Sequence, residues 1–295
     1  MLTINTSEIA TAQLQNYLQY AIAPRPICFA TTIDARGQIN LSPFSFFNMF
    51  STNPPVCIFS PARRVRDNTT KHTLENVLEV KECVINIVNY PMVQQMSLAS
   101  TEYAKGVNEF EKAGFTMLAS QLVKPPRVAE APVQMECTIK EVISLGDTPG
   151  AGNLILAEIK LIHIKEEILD SEGKIDQAKI DLVARLGGDW YCRVTEENLF
   201  KVPKPLTTLG IGVDALPKGV RNSIVLTGND LGMLGNVEKL PTADEIDAIQ
   251  TNAEVKEILD ATIGDQSNRD RELHQLAQTW LKEGKLLEAL KVVLL

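Results

Sequence analysis

A chain of 295 residues, 44% hydrophobic and 22% charged, can bury a full core in one large domain or two modest ones, with the composition of an ordinary soluble globular protein. A net charge of -8 at pH 7 and a pI near 5.1 exclude a general nucleic-acid binder, which needs a basic footprint to displace counterions. No apolar run reaches the roughly 18 residues needed to span a bilayer, so no membrane partner is expected either.

The N-terminal stretch MLTINTSEIATAQLQNYL lacks a basic region followed by an apolar core, which argues against a secretory signal and for a cytoplasmic protein. Cys28, Cys57, Cys83, Cys137 and Cys192 are odd in number, mostly sit in apolar runs and form no CxxC pair; reduced core thiols are the expectation. His72, His163 and His274 lie far apart without ligand spacing, so no metal site is expected. Strand-like apolar or alternating runs follow at Ile27–Ile33, Val56–Phe59, Val84–Val88, Val133–Ile143 and Leu154–Ile164. Asp34-Ala35-Arg36-Gly37 reads as a hairpin turn before Ile39. Polar turns and single helices separate these strands without regular strand and helix alternation, so a closed or partly closed antiparallel barrel fits best.

Residues 40–76, NLSPFSFFNMFSTNPPVCIFSPARRVRDNTTKHTLEN, carry the most chemistry. Ser42 and Ser45 flank Phe44 beside a backbone expected to turn at Pro43, and an extended course there exposes main-chain groups to a polar ring edge. Phe44, Phe46, Phe47 and Phe50 crowd together; some must be core and at least one is expected against a flat ring. Asn48 could offer its amide to such a ring. Arg63, Arg64 and Arg66 follow Ser60-Pro61, and guanidinium suits oxyanions, although most such charge runs are merely solvated. Leu74, Val77 and Leu78 at helical spacing predict a helix beginning near Lys71, whose free amides and dipole favour a phosphate beside Lys71, His72 and Thr73. A flat ring with a phosphate at one end, such as FMN, suits this mixture.

These residues resemble the flavin reductase-like family of FMN-binding split barrels, with flavoredoxin-type proteins among its members. The likeness rests on Asn40-Leu41-Ser42-Pro43-Phe44-Ser45-Phe46-Phe47-Asn48, Asn53-Pro54-Pro55, Ser60-Pro61 and Lys71-His72-Thr73-Leu74-Glu75-Asn76-Val77, and extends to Asn86, Arg185-Leu186-Gly187-Gly188 and Tyr191, over roughly residues 20 to 200. Many relatives carry Asp where this chain has His72. The resemblance implies a mainly β fold with helices, an antiparallel Greek-key split barrel spanning 1–205. It implies FMN held by Ser42, Pro43, Phe44, Ser45, Asn48, Ser60, Arg63, Arg64, Lys71, His72, Thr73 and Lys105, the last on a stretch where relatives often carry a flexible loop. A homodimer is implied, with NADH or NADPH passing hydride from nicotinamide C4 to flavin N5 and no catalytic side chain at the reacting centre.

Beyond Lys201-Val202-Pro203-Lys204-Pro205 the character changes. Residues 206–240 read as an irregular Gly-rich linker, and neither Gly210-Ile211-Gly212 nor Gly232-Met233-Leu234-Gly235 has dinucleotide-binding spacing. Residues 241–295 read as a small helical extension, with faces at Val255, Ile258, Leu259 and Ile263; at Leu273, Leu276, Ala277, Trp280 and Leu281; and at Leu286, Leu287, Leu290, Val293 and Leu294. Gly264 and Gly284 are placed to end the first two helices. No Ser-His-Asp or Cys-His nucleophile can be assembled from the sequence. Three functions remain open: an FMN-dependent NAD(P)H oxidoreductase, a flavoredoxin-like FMN carrier reduced by a partner protein, and a non-catalytic binding module.

Overall fold

Runs of β-branched and aromatic residues between residues 28 and 59 produce four consecutive strands, β1 (Cys28–Ile33), β2 (Ile39–Phe44), β3 (Phe47–Thr52) and β4 (Pro55–Phe59). In the first turn the Asp34 carboxylate accepts from the Arg36 and Gln38 amides at 2.9 and 2.8 Å, and Gly37 takes φ +81°. The computed structural model describes residues 1–295 and divides into two units, Met1–Phe200 and Lys201–Leu295.

The first unit opens with α1 (Thr11–Ala21) and continues after β4 with α2 (His72–Glu79), β5 (Glu82–Ile87), α3 (Val93–Ala99), α4 (Glu109–Ala113), the short pair β6 (Met117–Leu118) and β7 (Arg127–Val128), the long hairpin β8 (Val133–Ser144) and β9 (Asn153–Ile164), and a second short pair, β10 (Val183–Arg185) and β11 (Tyr191–Arg193). Seven strands form one antiparallel sheet in the order β2-β1-β5-β8-β9-β4-β3. Its two edge strands, β2 and β3, are consecutive in the chain and separated only by Ser45 and Phe46. A link that short spans roughly 10 Å, so the sheet must roll until its edges nearly meet. Because β2 and β3 do not pair, the barrel stays split along that seam.

Phe59, Val77, Ile85 and Ile155 fill one core cluster, and Phe29, Leu41, Met92, Met96 and Phe110 a second that includes α3 and α4. Alternate β1 residues serve the two clusters, Cys28 and Ala30 one and Phe29 the other, which is why all six β1 residues are buried. Buried polar side chains tie the layers together. Asn86 donates to Phe29 O at 2.9 Å and accepts from Val128 N at 2.9 Å, Glu109 accepts from Leu41 N at 2.9 Å, and Glu136 receives the Gln121 and Leu122 amides and His163 Nε2.

Two local expectations are corrected. The chain does not turn at Pro43: β2 runs through it to Phe44, with Pro43 opposite Phe29. Proline is tolerated because β2 is an edge strand and needs no donor on its outer side. Phe47–Thr52, read only as an aromatic cluster, is the strand on the other side of the seam, leaving Phe46 and Phe50 exposed.

The second unit has its own core. Residues 206–240 are not an irregular linker: they form α5 (Lys218–Arg221) and α6 (Gly228–Leu234) and bury Leu216, Val220, Leu226, Leu234 and Val237. α7 (Ala243–Ala248), α8 (Ala253–Ala261), α9 (Gln266–Lys282) and α10 (Leu286–Val292) complete it. α9 buries Leu273, His274, Ala277, Trp280 and Leu281. Gly284, at φ +78°, lets Lys285 N return to Trp280 O at 2.8 Å and ends α9. Ile263 and Leu287, expected on packed faces, are exposed; α8 stops at Ala261, before Ile263. No helix of the chain is long and apolar enough to cross a membrane.

Candidate functional site

The expected site residues fall into three groups. Pro43, Phe44 and Ser45, at the end of β2, line a cavity of about 170 Å³ with Ile27, Met96, Ser100, Arg185 and Tyr191. The β10–β11 pair supplies the opposite wall, where the Arg185 guanidinium lies 4.6 Å from the Tyr191 ring centroid. Phe44 is buried and packs on Phe59, ring centroids 5.5 Å apart, so the wall it forms is rigid.

A cationic loop begins beside Phe44. Lys71, the residue before α2, holds its ammonium 5.7 Å from the Phe44 ring centroid. It is partly buried and forms no salt bridge. Burial and then the nearby Arg64 charge lower its pKa, with Glu102 opposing. Arg64 donates Nε to Glu102 at 3.0 Å and Nη1 to Thr69 Oγ1 at 2.9 Å, and Arg63 is occupied by Asn68. Ser60 Oγ accepts from Asn153 N at 3.1 Å, closing the base of the loop.

The third group lies apart. His72 and Lys105 border a notch of about 10 Å³ with Asp34, Asn40 and Asn76, and Lys105 is paired with Glu75 at 3.0 Å. Thr73 is buried with its hydroxyl accepting from Asn40 Nδ2 at 2.9 Å. Asn48 is exposed on β3 and accepts from Met49 N. Ser42 is half-buried opposite Ala30. The structure therefore brings Pro43, Phe44, Ser45, Arg64 and Lys71 together and leaves His72, Lys105 and Asn48 outside that constellation.

Sequence reading missed Arg25. Only 7% exposed, it donates to Gln19 O and Ile22 O at 2.6 Å each, Leu186 O at 2.9 Å and Ser45 Oγ at 3.3 Å. It thereby fastens α1, the Ser45 arm and the β10–β11 turn. Gly187 permits the same junction, since a Cβ there would meet the Tyr20 ring at 2.3 Å. A lone arginine between two prolines gives no periodic signal by which to find it.

The second unit also holds a pair not assembled from sequence: Ser223 Oγ lies 2.8 Å from His274 Nδ1. That oxygen already accepts from Val225 N and Leu226 N at 3.1 Å each. With both lone pairs engaged, the hydroxyl donates to the imidazole and has none left for nucleophilic attack.

A rolled antiparallel sheet, open at one seam with a cavity and a row of cations beside it, defines the split-barrel class. The chain belongs to the family described as the flavin reductase like domain, whose model matches residues 20–179. An uncharacterized protein of Aquifex aeolicus is 39% identical over 61% of this chain and 90% of its own length. Nitrilotriacetate monooxygenase component B of Bacillus cereus superposes with a TM-score of 0.64 at 29% identity, covering 68% of this chain and 98% of that one. A split barrel domain protein of Shewanella frigidimarina reaches 0.58 at 25% identity, covering 67% and 95%. The second unit lies beyond the family match.

Proposed function

We propose that the first unit binds FMN and works as an NADH- or NADPH-dependent flavin oxidoreductase, as a cytoplasmic homodimer. The observation that carries this reading is the Lys71 ammonium, partly buried beside the Phe44 ring without an anionic partner of its own. Removing a cation from water is unfavourable unless an anion meets it, and Phe44 also walls the neighbouring cavity. A ligand with a flat ring on the Phe44, Ser45 and Tyr191 side and a phosphate on the Lys71 and Arg64 side satisfies both. Membership of the flavin reductase like family favours the same ligand.

Bound FMN would supply the two-electron chemistry that no side chain here provides. The protein's part is placement. Lys71 and Arg64 hold the phosphate, Phe44 on its Phe59 backing limits movement of the ring, and Arg25 keeps Ser45 at the cavity edge. Arg185 adds positive charge at the wall, favouring added negative charge on a bound ring. Purified protein should be yellow or become so with FMN, and NADH or NADPH should bleach that colour under anaerobic conditions. FMN binding without bleaching by either nicotinamide would replace this reading with that of an electron carrier, and no binding would refute both.

A further inference from the structure

Glu102 occupies Arg64, one of the two cations that the proposed ligand requires, together with the neighbouring Arg66. It stands in the irregular stretch between α3 and α4, two residues after Ser100, which walls the cavity. One of its oxygens accepts from Arg64 Nε at 3.0 Å and the other from Arg66 Nη2 at 2.8 Å. Hydrogen bonds from Arg66 and Arg64 hold its carboxyl below the usual range. Farther along, the stretch is held again by Lys105 on Glu75 at 3.0 Å. Arg64 and Arg66 thus share this carboxylate, Arg66 having Asp67 at 3.1 Å as a second partner, and Lys71 feels its charge without forming a salt bridge to it.

We propose that Glu102 is a specificity-determining residue, an internal stand-in for phosphate that a dianionic phosphomonoester displaces and that neutral or singly charged ligands leave in place. This rests on the reading of the cleft as an FMN site. The reason is electrostatic. A phosphomonoester carries nearly two negative charges at pH 7 and three acceptor oxygens, so exchanging it for a carboxylate gains attraction at all three cations. A monoanion gains nothing over Glu102. The side chains of Glu102 and Arg66 are 49% and 69% exposed, and exposed pairs hold weakly enough to be exchanged. Departure of Glu102 releases residues 100–108 from Arg64 and Arg66.

The test compares the full chain with Glu102→Gln, which keeps shape and removes charge. FMN should bind about fivefold more tightly to the variant, with riboflavin affinity unchanged. Amide hydrogen exchange provides a second arm that needs no flavin: the Tyr103 and Val107 amides, bonded to Thr101 O and Ala104 O, should exchange faster in Glu102→Gln. In the wild type they should accelerate with inorganic phosphate but not with chloride at equal ionic strength. Unchanged or weaker FMN binding by Glu102→Gln would overturn the proposal by making Glu102 an orienting partner of the arginines. Failure of the wild type to bind either flavin would refute the cleft reading instead; the exchange arm then decides displacement alone, and phosphate-independent rates would overturn it.

Discussion

Replacing Arg25 by methionine should unfasten three parts of the first unit at once. Methionine retains much of the apolar stem but none of the donors, leaving Gln19 O, Ile22 O, Leu186 O and Ser45 Oγ without the guanidinium. Hydrogen bonds from a charged group contribute about 1.5–3 kcal/mol each, so the three carbonyl contacts sum to roughly 5–9 kcal/mol. Relief of the buried guanidinium's desolvation, which with the Arg185 charge lowers its pKa, offsets several of these. Water can also reach carbonyls at the end of α1. A net local loss of about 2–4 kcal/mol remains, a rise in opening of about 30- to 1,000-fold. The backbone bridge from Arg25 to Arg185, at 3.0 and 2.9 Å, is untouched, so the effect isolates the side chain. Hydrogen exchange at the Ile22 and Leu186 amides, bonded to Leu18 O and Trp190 O, reads it directly. FMN retention should fall as the Ser45 arm loosens. Exchange within about threefold of wild type at both amides would refute the reasoning, because it would mean the four contacts hold nothing.

Lys71→Met should weaken FMN binding about tenfold or more while sparing riboflavin, since a charge-assisted bond to phosphate is lost; equal loss for both flavins in a fluorescence titration would place Lys71 against the ring instead. For Glu136, burial pushes the carboxyl up, but the Gln121 and Leu122 amides and His163 outweigh it and the net shift is downward. Its contribution is therefore full above the unfolded carboxyl value of about 4.3 and is lost as pH falls through the lower folded value. Protection of the Leu122 and Val123 amides, corrected for intrinsic rates, should persist at pH 5, decline below about pH 4 and be absent at neutral pH in Glu136→Gln. Leu290→Ala should destabilise the second unit by about 2–5 kcal/mol, because Leu290 is fully buried among Trp280, Leu281 and Val293; the red shift of Trp280 emission in denaturant, read in a Trp190→Phe background, should move to lower concentration.

Much of the barrel was legible because strands buried on one or both faces leave a local trace. The runs at residues 27–33, 56–59, 84–88, 133–143 and 154–164 all overlap strands of the main sheet, and Asp34 to Gly37 makes its turn by side-chain bonds within the turn itself. Lys71 was legible as a helix start for the same reason. Where Thr73, His72 and Lys105 lie relative to Phe44 was not legible, because their motif defines neighbours along the chain, not the face each side chain takes. Thr73 points inward to Asn40, and Lys105 meets Glu75 from a segment 30 residues away. The stretch 206–240 misled because glycine density suggested a linker, whereas apolar residues at 216, 220, 226, 234 and 237 converge only when α9 and α10 are present to cover them.

Local physical chemistry was thus sufficient to specify most strands of the main sheet and the cationic loop, since hydrophobic period, turn chemistry and charge are properties of neighbouring residues, while the likeness to flavin reductases rested on the motifs themselves. Three-dimensional packing decided the rest. The two edge strands meet across Ser45 and Phe46 because a short link forces the sheet to roll. Arg25 reaches Leu186 across 161 residues of chain, and Glu102 finds Arg64 across 38. Such contacts depend on which surfaces the closed fold brings within about 3 Å, a distance that no local pattern encodes.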